Sequence, residues 1–439
     1  MNKTYQNLVE PILDSINLYK DDVLVINQNK EYTYQDVYVA SSKIYKHIPE
    51  GRILLRIKDK YLTAISFVAC LFKKALCFID DASNEESPFL RYQYDKVLTD
   101  EDVLSYIADN EYELYEYKND IKPLDACLVL LSSGTSKEAK PIVLSHLGMI
   151  TNIQSGLRLY EVQKGWCFVN ILPLNHAFGI TSDFLDLMFC GAKIAYSYSI
   201  LEFFSNLVKY KPDSLSIPVS VLPPILQMLK QNGIASVGGN LKKILAGGSK
   251  CQKEISESFG EFGIMICTSY GLTECSPCVS ISSPDCFKDG SDGKVFDCHK
   301  IIIGEDSEII VSGDSLMLNY LDEYEKGNYV KEFHTKDIGY LDSDGYLFVT
   351  GRLDNLIILD NGNKIQPETF EAKLKSIKGI EDAVIYLKQN KLCLDVITND
   401  ELEIDLRKQL DYLDITINKV EEIKRNKMGK IDRAYYKNL

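Results

Sequence analysis

The residues with the greatest chemical reach in this chain fall in short clusters between its middle and its end. Ser132-Ser133-Gly134-Thr135-Ser136, with Lys140 close behind, is a run of hydroxyls around a glycine. Such a run can wrap a polyphosphate, because backbone N–H groups and hydroxyls donate to phosphate oxygens while glycine permits a tight approach. Tyr270-Gly271-Leu272-Thr273-Glu274 joins three groups: an aromatic face that stacks a base, a hydroxyl that donates to phosphate and a hard carboxylate that suits a hard cation. Thr335-Lys336-Asp337 supplies a carboxylate able to accept both hydroxyls of a ribose, and Gly351-Arg352-Leu353-Asp354 adds a guanidinium. Gly429-Lys430-Ile431-Asp432-Arg433 closes the series with a compact positive charge suited to a transition state that gathers negative charge.

Each cluster taken alone has a plain structural reading: a surface turn, a core tyrosine, a solvated lysine. A Walker A loop is excluded at Ser132, since Ala139 stands five residues after Gly134 where glycine is required, and Pro141 follows Lys140 where Ser or Thr is required. The order and spacing of the whole series carry the weight.

The elements that must position these residues read as mixed α/β. Ala126-Cys127-Leu128-Val129-Leu130-Leu131 is a buried strand running straight into the Ser132 loop, and Ser145 is the N-cap of the helix after it. Lys243-Ile244-Leu245-Ala246 is a strand entering Gly247-Gly248-Ser249, and 264–268, ending at Thr268, is a third, delivering Tyr270 to its carboxyl end. Ligands in open α/β sheets collect at such ends, so the three motif loops are expected to face one crevice. Residues 308–350 change to short alternating strands with turn signals such as Ser343-Asp344-Gly345, a small β-rich subdomain. After Asp354 come Asn361-Gly362-Asn363, a helix opened by Pro367-Glu368, two strands at 383–387 and 392–397, and a polar helix near 402–410. No internal repeat, low-complexity tract or long linker interrupts the chain.

Composition bounds the possibilities. With 439 residues, 45% of them apolar, the chain can bury a large core in two or more units. A formal charge of -14 argues against non-specific nucleic-acid binding, which needs clustered Lys and Arg. Residues 1–20 lack a basic-then-apolar leader pattern, and the longest apolar run, 64–72, is too short to span a bilayer. These features predict a cytoplasmic protein without integral membrane association; its oligomeric state is not legible. Twelve cysteines sit mostly in apolar strings and read as small buried hydrophobes. The exception is Cys275-Ser276-Pro277-Cys278, with Cys286, Cys298 and His299 downstream. A lone CxxC is weak as a zinc site, which needs four converging ligands.

The ordered series resembles the adenylate-forming superfamily of acyl-CoA synthetases, peptide-synthetase adenylation domains and luciferases, over roughly residues 31–439. The resemblance implies an α/β fold with a large N-terminal domain of mixed α/β sheets and a small β-rich subdomain, residues 1–353, followed by a small mobile α+β lid, 354–439, hinged at Asp354. Its phosphate loop reads Thr-Ser-Gly-Thr-Thr-Gly-x-Pro-Lys-Gly. Ser132, Ser133, Gly134, Thr135, Ser136 and Lys140 match in identity or hydroxyl character, whereas Lys137, Ala139 and Pro141 replace Gly, Pro and Gly. By the same resemblance Tyr270 lies against adenine beside Gly271 and Thr268, Thr273 contacts the α-phosphate, and Glu274 holds Mg²⁺ with Thr135. Gly247, Gly248 and Ser249 match the turn bordering the other side of the nucleotide. Asp337 takes the ribose with Arg352 nearby, although the family's Thr-Gly-Asp has become Thr-Lys-Asp. Tyr32-Thr33-Tyr34-Gln35-Asp36 matches an early signature, yet only about 130 residues precede the phosphate loop, fewer than the family norm, so the amino-terminal part is expected to be shortened.

The reaction so implied is activation of a carboxylic acid by ATP to an acyl-adenylate with release of pyrophosphate, then transfer to a thiol with release of AMP. Lys430 serves the first half-reaction, and lid rotation presents the Gly362 loop for the second. Leu172-Pro173-Leu174-Asn175-His176-Ala177-Phe178-Gly179 resembles the acyl-CoA synthetase form of a motif that carries an Asp for the α-ammonium in amino-acid adenylation domains. Asn175-His176 has no such carboxylate, so a non-amino acid, fatty or aryl, is expected, with His176 in the catalytic set. Residues 216–222, 246–249 and 267–277 are expected to wall its pocket. Three readings follow: a ligase using coenzyme A, an enzyme loading the phosphopantetheine arm of an acyl carrier protein, and a catalytically impaired nucleotide- or acyl-binding scaffold.

Overall fold

In the computed structural model the described residues are 4–132, 139–283, 286–359, 364–398, 406, 410, 413–425 and 431–439. Ser133, Gly134, Thr135, Ser136, Lys430, the Gly362 loop and most of the expected 402–410 helix lie outside them.

The apolar run at 64–72 belongs to helix α1 (Lys60–Lys73), capped by Asp59, whose carboxylate accepts from the Leu62 N–H. It is buried on nearly every side, as a helix apolar all round must be. No described helix is long and apolar enough to cross a membrane.

Two sheets flank this core. In the first, β1 (Ala126–Leu131) pairs antiparallel with β2 (Pro141–Ser145). Their sheet has six strands among the described residues, extending through Leu76–Ile79 and Arg52–Leu55 to Lys96–Leu98. The second has nine, with β3 (Ser214–Pro218), β4 (Lys243–Gly247) and β5 (Met265–Gly271) as parallel neighbours and β6 (Cys278–Ser282) antiparallel beside β5.

This arrangement adds a strand that the sequence reading does not contain. Ser132 and Lys140 stand at the facing ends of the β1–β2 pair, in a different sheet from the loops after β4 and β5. The intervening strand was hidden because Pro-Ile-Val-Leu-Ser is only five residues long, fully buried and without alternation. Pro141 is tolerated there as the first residue of its strand. Ser145 does cap the following helix α2 (His146–Leu159), its hydroxyl accepting from the Gly148 N–H at 3.0 Å.

The described chain divides into two compact units. The first gathers 1–301, 311–333 and 343–347. The second gathers 302–310, 334–342 and 348–439, so its last segment begins six residues before Asp354 and it takes in parts of the β-rich region as well. The edge strand β7 (Asn319–Tyr320), which pairs with β2 at the end of the six-stranded sheet, belongs to the first unit. Strands β8 (Glu332–Leu341) and β9 (Leu347–Arg352) lie side by side in a four-stranded sheet and carry Asp337 and Arg352. Further along, helix α3 (Pro367–Lys375) opens with its proline at the first position and packs on β10 (Ile380–Lys388), which pairs with β11 (Lys391–Thr398) and through it with β12 (Ile415–Lys419). The last element is helix α4 (Arg433–Lys437).

Candidate active site

The crevice residues of the first unit are set by strand register. Pro218, Gly247 and Ser269 stand side by side at the carboxyl ends of β3, β4 and β5, with Ala246 paired to Thr268 one step earlier. Tyr270 follows at the end of β5, half-buried, so its ring stands where the parallel strands open into loops. Gly248 has φ +86°, a conformation that side chains resist. Gly271 is required for another reason: a Cβ there would lie 2.3 Å from the Pro277 carbonyl oxygen. That approach folds 272–277 into a tight turn, closed by the Leu272 N–H to Pro277 carbonyl bond at 2.8 Å. Thr273 and Glu274 are carried on this turn and are buried, at 8% and 9% exposure.

Glu274 is fixed by a residue that sequence reasoning missed. The Tyr320 hydroxyl donates to its Oε1 at 3.0 Å, and the Met317 N–H donates to its backbone carbonyl at 2.8 Å. Burial first, and the neighbouring carboxylate second, raise the Tyr320 phenol pKa, keeping it a donor. Ser132 and Lys140, on either side of the hydroxyl-rich segment, are bonded to each other. Ser132 N–H donates to the Lys140 carbonyl, and Lys140 N–H donates to Ser132 Oγ, both at 2.9 Å. The Lys140 ammonium stands 5.1 Å from the Tyr320 ring centroid, a cation–π contact.

His176 precedes the helical segment Ala177–Ile180. Its ring is open to solvent, yet crowding by the crevice walls lowers its pKa through lost hydration, with Asp81 opposing. The imidazole is therefore neutral over a wider pH range than a free one. Phe178 lies over β4, with its Cε1 3.1 Å from where a Cβ on Gly247 would stand, and packs against the cluster of Tyr160, Leu245 and Cys267. A buried polar chain ties two strand ends to two helical segments. Lys60 Nζ donates to the carbonyls of Leu172 (3.1 Å) and Ser197 (2.8 Å) and to Asn170 Oδ1, and the Asn170 amide donates to Asp183. Burial pushes Asp183 up to about 7 and Lys60 down to about 8.

Cys278 and Cys298 line the same apolar cluster, while His299 bonds to the Cys278 carbonyl and to Ser315. All twelve cysteines are described and none forms a disulfide. Among the described residues no group of three or more His, Cys, Asp or Glu is placed to hold a metal.

In the second unit Asp337 is buried and accepts an ion pair from Arg352 Nη1 at 3.1 Å. Its N–H donates to Thr335 Oγ1, which donates to the Ile309 carbonyl at 2.6 Å. Lys336 stands between them at φ +58°, the left-handed conformation that the glycine of the family motif adopts without strain. Its N–H is taken by Glu308 at 3.0 Å and its ammonium lies 3.7 Å from Asp354, so the substitution is accommodated with the acid still in place. Arg352 Nε is buried and has no hydrogen-bond partner among the described residues. Asp354 is exposed, and Lys437 of α4 donates to its carbonyl.

The residues just after Lys430 have a different task. Asp432 caps α4 by accepting from the Tyr435 N–H at 3.0 Å. Arg433 makes a two-point ion pair with Glu371 of α3, at 2.8 and 2.6 Å, with both side chains largely buried.

A large mixed α/β unit with a crevice at parallel strand ends, followed by a small α+β part, is the fold of the adenylate-forming enzymes. ATP-bound MatB from Rhodopseudomonas palustris superposes with a TM-score of 0.84 at 14% identity, over 99% of each chain. O-succinylbenzoate coenzyme A synthetase from Bacillus subtilis with AMP gives 0.79 at 19% identity, over 97% of each chain. The chain belongs to the AMP-binding enzyme family, whose model matches residues 40–321, well over half its length. Among characterised relatives it is similar to the probable 4-coumarate–CoA ligase 3 of Dictyostelium discoideum, 28% identical over 60% of this chain and 51% of that protein. It is also similar to the 4-coumarate–CoA ligase CCL1 of Humulus lupulus, 26% identical over 71% and 64%. The chain thus spans about half the length of the first of these relatives.

Proposed function

We propose that this chain is an AMP-forming acid–thiol ligase. It activates an apolar carboxylic acid lacking an α-amino group with ATP and passes the acyl group to coenzyme A. The observation that carries this reading is the placement of Tyr270 to Glu274 at the carboxyl end of β5, level with Gly247 on its parallel neighbour, in a chain of the AMP-binding family.

In this reading Tyr270 lies against adenine between Gly271 and the Gly247-Gly248-Ser249 turn, Thr273 donates to the α-phosphate, and Asp337 accepts the ribose hydroxyls. Arg352 Nε, which has no partner among the described residues, is a donor for the same sugar. Glu274 suits Mg²⁺, being a hard oxygen ligand that is buried and held by a phenol; bound with ATP, the ion offsets phosphate charge. Phe178, Leu245 and Cys267 give the acid an apolar wall, with neutral His176 at its edge. The acid carboxylate attacks the α-phosphorus, the bond to pyrophosphate breaks, and Lys430 stabilises the charge that gathers. A rotation about Asp354 then withdraws Lys430 and admits the thiol, which attacks the acyl carbon and displaces AMP.

Acid-dependent ATP–pyrophosphate exchange over a panel of fatty and aryl acids tests the first half. Exchange with at least one acid is expected, and none across the panel overturns the reading in favour of a binding scaffold. Supplying coenzyme A or a carrier protein as acceptor tests the second. Lys430→Ala is expected to lower exchange about 10²–10³-fold, the weight of a lost charge-stabilising donor, while thiolation of preformed acyl-adenylate survives. Equal loss of both halves overturns the rotation.

A further inference from the structure

We propose that Tyr320 is the positioning residue for Glu274, and that it links the neck of the phosphate loop to the carboxylate meant for the cation. The inference rests on the reading of Glu274 as a metal ligand given above.

Tyr320 sits where the two sheets of the first unit come together. Through β7 its backbone is registered on β2, Tyr320 opposite Ile142 and Asn319 opposite Val143. The two residues before β7 are stitched on opposite sides: Leu318 N–H donates to the Val143 carbonyl and Met317 N–H to the Glu274 carbonyl, each at 2.8 Å. Its side chain repeats that connection. The ring lies under the ammonium of Lys140, the residue that closes the loop neck onto Ser132, and the hydroxyl ends on Glu274 Oε1. Backbone and side chain thus fix Glu274 relative to the loop neck through one short segment.

The choice of donor matters. A phenol holds a carboxylate oxygen by one directional bond and adds no charge of its own. A lysine or arginine at this position would hold Glu274 as firmly and cancel the charge that the cation needs. Ordering Glu274 before the metal arrives also removes that cost from binding.

The test is Mn²⁺ binding to the full chain in the presence of a non-hydrolysable ATP analogue, read by the electron paramagnetic resonance of free Mn²⁺. Tyr320→Phe keeps the ring under Lys140 and removes only the hydroxyl. Mn²⁺ affinity is expected to fall about tenfold, the weight of one hydrogen bond to a charged group. The thermal midpoint should fall by only a few degrees, on the scale of one lost hydrogen bond of about 1–2 kcal/mol, and the KM for the acid should hold. Unchanged Mn²⁺ affinity in folded Tyr320→Phe overturns the inference, provided that Glu274→Gln lowers it. If Glu274→Gln leaves Mn²⁺ binding intact, the assignment of Glu274 itself fails. Should Tyr320→Phe not fold, Lys140→Met probes the link from its other end. A fall of about threefold in Mn²⁺ affinity, the scale of a cation–π contact, supports it, and no change overturns it.

Discussion

Two buried carboxylates, one in each compact unit, are held in opposite ways. Glu274, on the turn after β5, takes the neutral hydroxyl of Tyr320. Asp337, on β8, takes the cationic guanidinium of Arg352. A phenol fixes an oxygen and adds no charge, whereas a guanidinium fixes and neutralises together. The difference matches the ligands proposed for them. A cation is drawn by a standing charge, while sugar hydroxyls need only well-placed acceptors. Neighbouring residues follow the same division. Glu274 sits between a hydroxyl-bearing Thr273 and the loop neck, and Asp337 sits in a turn closed by Thr335 and Glu308.

The comparison breaks most readily at Glu274. Glu274→Gln keeps an oxygen that accepts from Tyr320, so stability measured by denaturant titration should move by less than about 1 kcal/mol. Pyrophosphate exchange should nonetheless fall about 10²–10³-fold, since what is removed is the charge. A large stability loss with intact exchange would make Glu274 a scaffold residue. Asp337→Asn should behave differently, costing about 1.5–3 kcal/mol because it deprives Arg352 of a charged partner, and raising the KM for ATP roughly tenfold. If stability stays at the wild-type level, the ion pair is not what holds that turn. The smallest effect is expected at Lys336→Gly, which relieves a left-handed lysine and gives up an exposed ion pair to Asp354. A net gain of up to about 1 kcal/mol should appear as a raised thermal midpoint. A lower midpoint would mean that the pair with Asp354 outweighs the backbone strain.

Much of this was legible from residue types alone. The apolar strings entering Gly247 and Tyr270 are parallel neighbours, as strand-to-motif spacing suggested, and Ser145 caps its helix as a serine before a helical pattern should. What stayed hidden depended on partners distant in sequence. Tyr320 gave no signal because its partner Glu274 lies 46 residues earlier and the contact forms only where the two sheets meet. Strand β2 was concealed by its brevity and its initial proline, so the pairing that closes the Ser132–Lys140 segment was not legible. Lys336 departs from the family glycine, and only the observed φ shows that the turn keeps the glycine's conformation.

The pairing of Arg433 with Glu371 has a consequence for how variants of the terminal motif would score in a screen. Removing Arg433 strands a buried carboxylate, whose pKa burial raises against the opposing pull of the guanidinium, at a cost of about 3–5 kcal/mol. That is a large share of an ordinary domain's stability. In a cell such a variant would lose activity through poor abundance, whereas the loss proposed for a Lys430 variant is one of adenylation chemistry. An activity readout alone would rank two neighbouring positions as equals, and only a parallel abundance measurement would tell the chemist's residue from the mason's.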